Sequence, residues 1–73
     1  MLSKEDEKFL KALGQRLRDI RSEKGWTLEE TEEYGWSSWK HLQRIESGKN
    51  VTAITLRKIS HLYDMSLSDI FDF

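Results

Sequence analysis

Residues 32–48 read EEYGWSSWKHLQRIESG. Acids, two tryptophans, a glycine and a basic run share this one segment, and the direction each side chain faces decides the fold. On a helix turning by about 100° per residue, Leu42 and Ile45 fall roughly 60° apart with Ser38 between them, which marks a buried direction. Lys40 points away from it, Gln43 and Arg44 lie on either side of Lys40, and Trp39, His41 and Glu46 take the flanks. Ser37 or Ser38 is available to cap this helix and Gly48 to end it, so the spacing predicts a helix over about residues 38–47.

Working outward, Ser3 and Asp6 form a capping-box-like S-x-x-D pattern. Phe9, Leu10, Leu13, Leu17 and Ile20 then recur at helical spacing as a core stripe, and Gly25 closes a first helix of about residues 4–24. Arg21 and Lys24 suit the dipole at its C-terminus. Thr27 and Glu30 form a second capping box, opening a short helix over about residues 28–34 that Gly35 breaks. Its glutamates, Glu29, Glu30, Glu32 and Glu33, read as a solvated face. Thr52 caps a helix of about residues 53–63 carrying Leu56, Ile59 and Tyr63, and Ser66 caps a last one of about residues 67–72. Trp26, Tyr34 and Trp36 are expected to fill the core. The expected fold class is all-α: a compact five-helix single domain over residues 1–73 in which the second and third helices form a helix-turn-helix.

Composition agrees with this reading. A chain of 73 residues with no proline and no cysteine has room for one small domain held by packing alone. No apolar run approaches the ~20 residues needed to cross a bilayer, and MLSKEDEKFL is too charged for the apolar part of a signal peptide. A soluble protein of the reducing cytoplasm is expected. The net charge of −1 hides an uneven distribution. From Ser37 to His61, Lys40, Arg44, Lys49, Arg57 and Lys58 stand against Glu46 alone, whereas residues 25–36 carry acids and no lysine or arginine. His41 and His61 have no cysteine or carboxylate at metal-ligand spacing, so no metal or cofactor is implied. No third orienting group accompanies a Ser/His pair, and an enzyme is not expected.

The segments LGQRLRDIRSEKGWTLEE, HLQRIESGK and TLRKISHLYDMSLSDIF together resemble the phage repressor and Cro type of helix-turn-helix, the XRE family. The resemblance runs from Leu13 to Phe71. It implies a repressor-like domain of bacterial or phage origin that binds double-stranded DNA as a small transcriptional regulator, with its third helix in the major groove. Carried onto this chain, the base-contacting positions are Trp39, Lys40, Gln43 and Arg44. Arg44 suits guanine O6 and N7, and Gln43 suits adenine N6 and N7. Thr27, Ser47, Lys49 and Asn50 become phosphate contacts that orient the protein without choosing sequence. The resemblance also implies a structural, non-catalytic ion pair between Arg21 and Glu46. Three departures stand out: Leu28 replaces the usual glutamine of the second helix, the four glutamates of that helix would lie close enough to a DNA backbone to oppose binding, and Gly35 falls one place early in the turn.

Members of this family act as two-fold dimers. Ile54, Phe71 and Phe73 are the candidate dimer contacts, although Phe71 alternatively closes the core while Phe73 frays. Trp39 has two readings as well, packing on the first helix or stacking at the groove edge. The competing function is a protein-interaction module on the same fold, using Trp36, Trp39 and the acidic second helix.

Overall fold

The computed structural model describes residues 1–73 and is entirely helical. Helix α1 spans Lys4–Glu23, a 3-10 helix spans Glu29–Tyr34, α2 spans Trp39–Glu46, α3 spans Ala53–Tyr63 and α4 spans Leu67–Ile70. The all-α fold class and the five helices are as the sequence predicts. The second helix differs in kind, being a 3-10 helix between Thr27 and Gly35. Its first turn closes tightly, with the Thr31 N–H donating to the Leu28 carbonyl at 3.1 Å and the buried Thr31 hydroxyl donating to the same oxygen. The last helix stops at Ile70, short of the expected residue 72.

Side-chain caps fix most of the helix starts. Ser3 and Asp6 exchange hydrogen bonds of 3.0 and 3.2 Å, and Thr27 and Glu30 do the same at 3.2 and 3.0 Å. Thr52 and Ser66 each accept from a backbone N–H three residues on, at 3.1 Å. Ser38 does not follow suit. Its backbone occupies the N-cap position of α2, but its side chain makes no capping bond.

The core comprises Leu10, Leu13, Leu17 and Ile20 of α1, Trp36 of the turn, Leu42 and Ile45 of α2, Ile59 and Tyr63 of α3, and Ile70 of α4. Two expected core residues are exposed. Phe9 stands at the edge of the α1 stripe, is 49% exposed, and its ring lies against those of Phe71 and Phe73. Tyr34 is also exposed, because Gly35 turns the chain directly after it; its ring stacks on Trp26 at 3.9 Å between centroids. Trp26 is half-buried against the core.

The crossing of α1 and α2 fixes how α2 sits on the domain. It is closest at Gly14, where an added Cβ would lie 2.5 Å from the Glu46 carbonyl oxygen and 2.7 Å from that of Ile45. Backbone thus rests against backbone, an approach that only glycine permits. Arg16 reaches from α1 to α4 and donates to the carbonyls of Asp69 at 2.8 Å and Ile70 at 3.3 Å. These bonds satisfy carbonyls at the open end of α4.

Candidate nucleic-acid interface

With Leu42 and Ile45 buried, α2 turns Lys40, Gln43 and Arg44 outward, and all three are exposed. The molecule has a single ion pair, Arg21 with Glu46, so Lys40, Arg44 and Lys49 carry charges that no acidic side chain neutralises. Trp39 is half-buried on the flank, and the Lys40 ammonium lies 5.9 Å from its ring centroid. That separation is within the range of a cation–π contact. The face therefore presents two cations, an amide able to donate and accept, and one aromatic edge.

The helix is fastened from behind. Arg21 Nε and Nη2 donate to the two Glu46 carboxylate oxygens, each at 2.9 Å, and Arg21 Nη1 donates to the Trp26 carbonyl at 2.8 Å. The fork geometry is bidentate and uses both carboxylate oxygens. Its side chains are only 12% and 6% exposed. The bond to Glu46 raises the Arg21 pKa against the opposing effect of burial. The Tyr63 hydroxyl is buried nearby without a protein hydrogen-bond partner, and that burial pushes its pKa up.

The N-terminus of α2 is closed by a residue that the sequence reading assigned to solvent. Glu32 reaches across the turn and accepts from the Trp39 N–H at 2.8 Å, performing the capping expected of Ser38. Glu30 is occupied as well. The Thr27 N–H and hydroxyl hold its carboxyl below the ordinary glutamate range. Two of the acids beside the cationic face are thus engaged locally, and Glu29 and Glu33 remain exposed.

The residues assigned to phosphate contact have different capacities. The Thr27 N–H is committed to Glu30, while its hydroxyl sits at the exposed start of the 3-10 helix. Ser47 donates its hydroxyl to the Arg44 carbonyl at 2.7 Å, so that proton is used inside the turn. Asn50 accepts from the Val51 N–H at 2.9 Å through its side-chain oxygen, which leaves its amide NH2 as an outward donor. Lys49 is exposed, and its N–H donates to the Arg44 carbonyl at 3.1 Å. Gly48 sits between them at φ 105°, the left-handed geometry that turns the chain off α2.

Ile54, Phe71 and Phe73 are all exposed but do not form one patch. Phe71 and Phe73 gather with Phe9, with ring centroids 6.1–6.2 Å apart. Ile54 lies elsewhere, on the rim of a groove shared with Tyr34, Trp36, Arg57, Lys58 and His61. Phe9 belongs to the exposed aromatic group by position, and its place at the margin of the apolar stripe was the available signal.

No helix is long and apolar enough to cross a membrane. No curated protein and no solved structure matches the chain significantly. A helix-turn-helix family profile matches residues 17–70, from the middle of α1 through the 3-10 helix, α2 and α3 to the end of α4. The matched span includes both the outward face of α2 and the Arg21–Glu46 fork behind it. The chain belongs to the Cro/C1-type (XRE) helix-turn-helix family of DNA-binding regulators.

Proposed function

We propose that this protein is a sequence-specific transcriptional regulator, acting as a repressor, that inserts α2 into the major groove of double-stranded DNA. The observation that carries the reading is the cluster of Lys40, Gln43 and Arg44 on the solvent side of α2, free of acidic partners. Arg44 reads guanine, Gln43 reads adenine, and Lys40 meets either a base edge or a phosphate. Trp39 borders the groove. Thr27, Lys49 and Asn50 orient the protein on the backbone, with Ser47 holding the turn that presents the last two.

The protein works as a homodimer on paired half-sites about one helical turn apart. The exposed Phe9, Phe71 and Phe73 group is the contact we favour, and Ile54 is a second. The setting is the cytoplasm, where the DNA is. The rival protein-docking role is disfavoured by Trp36, which is only 7% exposed and so contributes to the core rather than to a docking surface.

Fluorescence anisotropy with a random-sequence duplex pool across a salt series is the test. Binding should weaken steeply as salt rises, and Lys40→Ala with Arg44→Ala should abolish selection of any preferred sequence. Absence of binding at ~50 mM salt would refute the reading. For the dimer, sedimentation at several concentrations should show self-association that Phe71→Ser weakens.

A further inference from the structure

Lys11 lies on α1, outside the helix-turn-helix, yet the fold brings it to the loop that follows α2. The agent is Gly48. A Cβ added there would lie 3.0 Å from Lys11 Cγ and 3.6 Å from Lys11 Cα, so the aliphatic stem of Lys11 rests against the glycine. Long cationic side chains commonly lay their stems along the protein in this way while the charged head stays in water. Lys11, Ser47, Gly48, Lys49 and Asn50 line a cleft of about 290 Å³ together with Leu2 and Glu7. Lys11 and Lys49 are both exposed and have no acidic partner. The free NH2 of Asn50 is a third donor at the same place.

We propose that Lys11 completes a phosphate cradle with Lys49 and Asn50, so that α1 grips the DNA backbone beside the end of α2. This rests on the DNA-binding reading given above and adds to it a residue from a helix with no part in base recognition. Two ammonium groups and an amide donor suit a phosphodiester oxygen pair, and none of the three discriminates between bases. Their placement next to the loop that leaves α2 adds grip and sets the tilt of that helix in the groove. Glu7 is the one acid in the lining and opposes the phosphate.

The test is Lys11→Met, which keeps the stem against Gly48 and removes the charge, so the fold is preserved and is checked by thermal melting. Binding is measured by anisotropy with two fluorescein-labelled duplexes of unrelated sequence over a salt series. The expected result is a slope of log K against log salt shallower by about 0.9, the release of one phosphate contact. Both duplexes should lose affinity by the same factor, Lys11→Arg should restore it, and Glu7→Gln should raise it. An unchanged slope in Lys11→Met, with the wild-type chain binding both duplexes, would overturn the cradle and leave the proposed function standing. Failure of the wild-type chain to bind either duplex would overturn both.

Discussion

Glu32 and Trp39, seven residues apart on opposite sides of the turn, are joined by a hydrogen bond of 2.8 Å from the Trp39 N–H to the Glu32 carboxylate. A side chain of the 3-10 helix thereby satisfies one of the free amides that begin α2, and its negative charge lies at the positive end of that helix. Glu32→Ala removes the cap and should destabilise the domain by about 0.5–2 kcal/mol, the usual range for loss of an N-cap. Glu32→Gln keeps an acceptor and removes the charge. It should melt closer to the wild type while binding duplex DNA more tightly, because one acid beside the cationic face has gone. Equal melting temperatures for wild type and Glu32→Ala would show that the bond contributes nothing.

The fork between Arg21 and Glu46 should be costly to break from one side only. Glu46→Ala leaves a guanidinium that is mostly buried and has lost two of its three acceptors, and a loss of about 3–5 kcal/mol is expected. That is a large share of the total stability of a domain this small. Arg21→Lys should also be poorly tolerated, since a single ammonium cannot reproduce the bidentate bond. Chemical denaturation of the two variants, with unchanged m-values, would measure both effects; a loss below about 1 kcal/mol in either would mean that solvent screens the pair.

Gly14→Ala sets two effects of opposite sign against each other. Alanine favours a helix interior by about 1 kcal/mol over glycine. Its methyl group, however, would press on the backbone carbonyls of Ile45 and Glu46, which cannot move without shifting α2. Overpacking of this kind typically costs about 1–3 kcal/mol, so a net loss is expected. A higher melting temperature for Gly14→Ala would show that α1 and α2 separate freely.

Glu30 gives a pH-dependent signature. Its carboxyl titrates below the ordinary glutamate value in the folded state because the Thr27 N–H, and then the Thr27 hydroxyl, favour the charged form. The capping bond is therefore present above the unfolded value and is lost as pH falls through the folded one. Thr27→Ala removes the hydroxyl and keeps the backbone N–H, so the Glu30 midpoint, followed by carboxyl NMR, should rise only part of the way. A wild-type midpoint no lower than that of an unfolded glutamate would contradict the capping geometry.

Features carried by neighbours in the chain were legible from sequence, and those carried by distant partners were not. Ser3 with Asp6 and Thr27 with Glu30 are three residues apart, so their capping boxes could be read directly. The outward direction of Lys40, Gln43 and Arg44 followed from Leu42 and Ile45, because a single helix fixes them relative to one another. The Glu32 cap required knowledge of how the turn folds back, and a serine stood in the expected place. Phe9 continued the apolar period of α1, yet it is half exposed and its ring meets those of the C-terminal Phe71 and Phe73, far away in the chain. Gly14 and Lys11 gain their significance from chain more than thirty residues away, and local pattern carries no trace of such contacts.

The close seating of α2 on Gly14 separates what holds this helix from what it displays. Its anchors are Leu42, Ile45, two main-chain carbonyls and the Glu46 carboxylate, and none of these faces outward. Lys40, Gln43 and Arg44 can therefore be exchanged as a set without disturbing the mount. The domain is in this sense a holder with an interchangeable outer face, three positions of which can be rewritten without refitting the mount.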